Sequence, residues 1–125
     1  MSHSILITDD STTMRKIIRR TLRQAGIEAQ VHEAGDGRQA LDVMAREEID
    51  LLLTDLKMPV MSGLELIEAL RADPANASLK IVAISTETSA PYAGAAVDSG
   101  ADRFIAKPFT VDELSTELGS LLDEA

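Results

Sequence analysis

The feature that most constrains this chain is a fivefold alternation of two kinds of segment. Short apolar runs recur at Ser4-Ile5-Leu6-Ile7-Thr8, Gln30-Val31-His32-Glu33-Ala34, Leu51-Leu52-Leu53-Thr54, Lys80-Ile81-Val82-Ala83-Ile84 and Arg103-Phe104-Ile105-Ala106. All are too brief for a helix; four are apolar, as buried strands are, and the Gln30–Ala34 run is a weaker strand. Between them, apolar residues repeat at helical spacing. Met14, Ile17, Ile18, Leu22 and Ala25 predict an amphipathic helix from about Thr12 to Ala25, closed by Gly26. Ala40, Leu41 and Met44 mark a second helix running to about Glu47. Leu64, Ile67 and Leu70 mark a third, stopped by Asp73-Pro74. A short Ala-rich helix follows from about Ala90 to Asp98, weakened at Gly94 by about 1 kcal/mol relative to alanine. Val111, Leu114, Leu118 and Leu121 line one face of the last.

Three helix starts carry the side chains of a capping box: Asp36 with Gln39, Ser62 with Glu65, and Thr110 with Glu113. Strands that alternate with helices over short connections imply an α/β fold, a parallel sheet with helices on both faces. The 125 residues suit one domain, 1–125, and contain no linker, repeat or low-complexity stretch.

In a parallel sheet the strand ends share one edge, and ligands bind at the carboxyl ends of the strands. Here those ends carry Asp9-Asp10 after the first strand, Asp55 after the third, Ser85 after the fourth and Lys107 after the fifth. Taken singly, each has an ordinary reading. Asp10 would cap the first helix, Ser85 would bond a neighbouring backbone group, and Lys107 would pair with Asp102 at the surface. Taken together they are a chemical set. Three carboxylates at one edge repel unless a counter-charge is supplied. With two His and no Cys, any bound metal must be hard and oxygen-ligated. Carboxylates, a hydroxyl, a Lys and a divalent cation suit phosphoryl transfer to an Asp nucleophile.

Other functions are disfavoured. A net charge of −9 argues against non-specific nucleic-acid binding. From Pro108 to Ala125 there are five acids and no Lys or Arg. No apolar run approaches the roughly 18 residues of a membrane span, and the N-terminus lacks the pattern of a signal peptide. The absence of cysteine fits a reducing compartment. A cytoplasmic monomer is expected.

The motifs Asp9-Asp10-Ser11 with Met14-Arg15, Asp55-Leu56-Lys57-Met58-Pro59 with Met61-Ser62-Gly63, Ile84-Ser85-Thr86, and Phe104-Ile105-Ala106-Lys107-Pro108-Phe109 carry a family resemblance. Ser85 lies 30 residues and Lys107 lies 52 residues after Asp55. Over essentially its whole length the chain resembles the receiver domain of bacterial two-component response regulators, closest to single-domain CheY-like chemotaxis regulators. The resemblance implies a doubly wound five-stranded sheet in the order 2-1-3-4-5, for which those regulators are a standard example. It implies that Asp55 accepts a phosphoryl group from a phosphohistidine on a histidine kinase or a histidine phosphotransfer protein. Mg²⁺, or Mn²⁺ in its place, would be held by Asp9, Asp10, Asp55 and the backbone carbonyl of Lys57. Ser85 would hydrogen-bond the phosphoryl group and Lys107 would pair with it, usually from a cis bond to Pro108. Phe104 would be the switch aromatic, and Lys57 with Glu87 would tune dephosphorylation.

The chain departs from the commoner pattern in two places. Ser85 stands where Thr is usual, and Phe104 stands where the chemotaxis regulators have Tyr. The signal would be read on the face of the fourth helix, fifth strand and fifth helix, thinly built here around Tyr92, Ala93, Ala95 and Ala96. Arg15, Lys16, Arg19, Arg20 and Arg23 crowd the first helix, either as a solvated face or as a dock for an acidic partner. With no output domain, the target would be a flagellar motor switch, a phosphorelay partner or a regulated enzyme. Two further readings compete. A phosphohydrolase with an Asp nucleophile usually carries Asp-x-Asp after the first strand, whereas Ser11 follows Asp9-Asp10 here and no cap domain is present. A degenerate receiver used only as a scaffold would not need the full set of Asp9, Asp10, Asp55, Ser85 and Lys107.

Overall fold

The computed structural model describes residues 3–86 and 90–123. Five strands alternate with five helices: β1 (His3–Thr8), α1 (Thr12–Gln24), β2 (Ala29–Ala34), α2 (Gly37–Arg46), β3 (Leu51–Thr54), α3 (Gly63–Arg71), β4 (Lys80–Ser85), α4 (Ala90–Ser99), β5 (Arg103–Ala106) and α5 (Val111–Asp123). A single 3₁₀ turn, Pro74–Asn76, separates α3 from β4. The strands pair in parallel in the order β2-β1-β3-β4-β5.

Alternation along each strand splits the core in two. Ile5, Ile7, Leu51, Leu53, Val82, Ile84 and Ile105 face α1 and α5. Leu6, Leu52, Ile81, Ala83 and the half-buried Phe104 face α2, α3 and α4. The central strands are therefore apolar at nearly every position, because both of their faces are covered. None of the described helices is long and apolar enough to cross a membrane.

The structure moves some side chains from their expected places. Ile17 was expected inward but is 38% exposed. The buried face of α1 carries Thr21 beside Ile18 and Leu22, and Thr21 satisfies its hydroxyl by donating to the Ile17 carbonyl at 2.8 Å. In α2 the fully buried residues are Gly37, Ala40 and Val43, while Leu41 and Met44 flank them half-buried. The Ser62–Glu65 and Thr110–Glu113 capping boxes both close. The Asp36–Gln39 box does not. Asp36 accepts from the Gln39 N–H at 2.8 Å, but the Gln39 side-chain oxygen accepts from Gly35, one residue too early.

Candidate functional site

The carboxyl ends of β1 and β3 lie level, Thr8 being registered against Thr54. Asp9 and Asp55 therefore leave the sheet side by side, and the Asp55 N–H donates to the Thr8 carbonyl at 2.9 Å. Asp9 is 2% exposed, Asp55 half-buried and Asp10 exposed. Carboxylate oxygens of the three lie within 4.8 Å of one another. Asp10 does not cap α1. Ser11 does, accepting from the Met14 N–H at 3.1 Å, and this leaves the Asp10 carboxylate to the cluster.

Lys107 arrives from β5. Its buried ammonium donates to Asp9 Oδ2 at 2.9 Å and lies 3.5 Å from Asp55 Oδ2. Its backbone N–H donates to the Ser85 carbonyl at 2.9 Å, and the bond to Pro108 is cis. The surface pairing with Asp102 does not form. Asp102 is taken by Arg71 at 2.9 Å and by the Ile81 N–H at 2.8 Å. Ser85 ends β4 fully buried at the same edge. Phe104 is paired in register with Ala83, one strand over and two residues before Ser85. Lys57 is exposed in the loop after Asp55. Glu87 lies outside the described residues, as does the Tyr92 side chain.

The other oxygen of Asp9 accepts from the Ser11 N–H at 2.9 Å, and Asp55 Oδ1 accepts from the Leu56 N–H at 2.7 Å. These bonds aim the carboxylates and leave lone pairs for a further ligand. An all-oxygen donor set with a strong local excess of negative charge fits a hard divalent cation.

Burial raises the Asp55 pKa above its ordinary value. Lys107 and the N–H groups of Leu56 and Lys57 oppose the shift, while the neighbouring Asp9 charge adds to it. With no divalent cation, ionised Asp55 therefore works against the fold. Its favourable contribution is complete below the unfolded value of about 3.9 and is lost as pH rises through the higher folded value. Asp55→Asn is accordingly expected to stabilise the metal-free protein at pH 7 by about 1 kcal/mol, measured by urea unfolding in EDTA. The gain should vanish near pH 3.

The loop beyond Asp55 contains three features with no counterpart among the sequence expectations. Gly63 packs so tightly that a Cβ there would stand 2.0 Å from the Asp55 carbonyl oxygen. A Cβ on Gly37 would stand 2.7 Å from Met61 Cγ, so the loop is pressed against the start of α2. Val60 has φ 68 and is 81% exposed. That left-handed conformation costs a β-branched residue on the order of 1 kcal/mol. A glycine in a capping motif signals a turn but says nothing of a close backbone approach across the fold.

The response regulator receiver domain model matches residues 5–119. The chain belongs to this family. Among curated relatives, a chemotaxis protein CheY homolog of Campylobacter jejuni is 37% identical over 119 residues, covering 94% of this chain and 91% of that protein. Among solved structures, the chemotaxis response regulator CheY4 of Vibrio cholerae superposes on this receiver with a TM-score of 0.85 at 31% identity, covering 97% of this chain and 99% of that one. The receiver domain of the sensor histidine kinase PA1611 from Pseudomonas aeruginosa, whose structure has a magnesium ion coordinated in the active site cleft, has a TM-score of 0.87 at 25% identity, covering 98% of this chain and 99% of that one. As a receiver, the chain is built to work with a histidine kinase and a downstream effector. The expected 2-1-3-4-5 fold and family are those found.

Proposed function

We propose that this chain is a response-regulator receiver whose phosphoacceptor is Asp55. The observation that carries the reading is the meeting of Asp9 and Asp55 on the single buried ammonium of Lys107. An Asp55 carboxylate oxygen attacks the phosphorus of a phosphohistidine. The P–O bond forms as the P–N bond breaks, and the imidazole nitrogen leaves with the bonding pair and takes up a proton. Lys107 is placed to shift from the Asp55 carboxylate to the incoming phosphoryl oxygens. Ser85, at the neighbouring strand end, supplies a hydroxyl toward the same group.

Asp9, Asp10, Asp55 and the Lys57 backbone carbonyl would hold Mg²⁺, as the magnesium in the Pseudomonas receiver's cleft supports. When bound, the cation would neutralise charge on the transferring oxygens. The chain acts as a switch and not as a turnover enzyme. The added charge of about −1.5 to −2 draws Ser85 toward it and opens room for Phe104 to move inward. The face of α4, β5 and α5 then changes its contacts with a target.

The chemotaxis relatives favour a chemotaxis role. The likeness to a histidine-kinase receiver favours a second reading, a step in a phosphorelay. The test is intact mass after incubation with acetyl phosphate, with Mg²⁺ and with EDTA, beside Asp55→Ala. A gain of one phosphoryl group that requires both Mg²⁺ and Asp55 is the expected result. A gain that persists in Asp55→Ala would move the acceptor elsewhere.

A further inference from the structure

The Arg15 guanidinium ties three elements together behind the acidic cluster. Its Nη1 donates to the backbone carbonyl of Asp9 at the end of β1. Its Nη2 donates to Thr12 Oγ1 in the first turn of α1 at 3.2 Å. Its Nε donates to Glu33 Oε1 near the end of β2 at 2.9 Å. The other Glu33 oxygen is held by Arg19 at 2.8 Å. The Asp9 N–H donates to the Ala34 carbonyl at 3.1 Å. The main chain of Asp9 is thus gripped on both sides, by β2 directly and by Arg15 braced on β2.

We propose that Arg15, braced by Glu33, is a positioning residue for the divalent-cation site, fixing the Asp9 backbone from which that carboxylate projects. This rests on the cation reading given above. Two physical points carry it. Three different guanidinium nitrogens reach the carbonyl, the hydroxyl and the carboxylate, a fixed spread that the three donors of a Lys ammonium, all on one nitrogen at the end of a flexible stem, do not reproduce. Glu33 also engages the guanidinium away from the cluster. Without it, Arg15 would be free to turn toward the Asp9 and Asp10 carboxylates and compete with a cation for them. Partners of this outer kind typically change metal affinity by about 10- to 100-fold.

Positioning and simple charge make opposite predictions. Removing a positive charge beside three carboxylates should tighten cation binding by Coulomb's law. Removing a brace should weaken it. The experiment is titration of the full chain with Mn²⁺, free ion being read by electron paramagnetic resonance, with each variant's fold checked by urea unfolding in EDTA. Arg15→Met is expected to raise the Mn²⁺ Kd by about 10-fold, and Glu33→Gln to raise it in the same direction. Arg15→Lys keeps the charge and the apolar stem, so it guards against a variant that fails to fold, and it should not restore affinity. Arg19→Met removes the same charge from the same Glu33 but touches no Asp9 atom, and it should bind within about twofold of wild type. Unchanged or tighter binding by Arg15→Met, wild-type binding by Arg15→Lys, or equal weakening by Arg19→Met would each overturn the clamp. Wild-type protein that binds no Mn²⁺ would overturn the cation reading itself, and the clamp with it.

Discussion

Lys107→Ala is expected to cost the fold about 3 kcal/mol in EDTA, with a large part of that loss returning in excess Mg²⁺. The ammonium is the one counter-charge that the described residues bring to Asp9 Oδ2, in a side chain only 3% exposed. Removing it leaves a buried carboxylate beside a second one, and desolvation with repulsion then acts on both. A cation held by the same carboxylates would replace the missing charge, and a ligand that binds only the folded state stabilises it by mass action. The difference between the two conditions is the informative quantity. A variant equally unstable in EDTA and in Mg²⁺ would mean that the cluster does not hold the cation. Urea midpoints in both buffers, beside wild type, decide it.

Gly63→Ala is expected to be as severe for a different reason. The new methyl would meet the Asp55 carbonyl oxygen at 2.0 Å and the Leu56 Cα at 2.7 Å. Neither is the end of a flexible side chain, so the backbone itself must move. The Gly63 N–H also donates to the Leu56 carbonyl at 2.9 Å, which holds the two segments at that separation. Relief requires α3 to back away from the end of β3, and that motion would displace Asp55. A loss of about 3 kcal/mol, together with loss of phosphorylation by acetyl phosphate, is the expected pair of outcomes. Gly94→Ala is the internal control. Its Cβ meets nothing within 4 Å, so it should gain about 1 kcal/mol from helix propensity alone.

The strands and the strand-end chemistry were legible because they rest on short-range signals. Apolar runs such as Leu51-Leu52-Leu53 announce strands buried on both faces, and parallel topology then gathers Asp9, Asp55, Ser85 and Lys107 at one edge. What the sequence left unread depends on distance through space. Helix rotation is one such case. A stripe containing both Ile17 and Thr21 can be turned either way, and Thr21 goes inward because it can return its hydroxyl to the Ile17 carbonyl. The Arg15 brace is another. In sequence, Arg15 is one of five basic residues on a helix, and only the fold sets it against Glu33 and the Asp9 carbonyl while Lys16, Arg20 and Arg23 stay exposed. Val60 is a local case that was also unread. Nothing in Pro59-Val60-Met61 announces a left-handed valine, yet the Met61 N–H donates to the Pro59 carbonyl at 2.7 Å and closes a tight turn centred on it.

The bond from Lys107 to Asp9 joins residues 98 positions apart, across β3 and β4. During synthesis, Asp55 leaves the ribosome with its carboxylate neighbours already made, but its ammonium partner follows only after two more strands. A chain cut short before β5 would hold Asp55 and the acidic pair without the group that balances them. Competence to receive a signal therefore comes with the last strand. An unfinished or truncated copy, even one that reached its kinase, could not present a completed site.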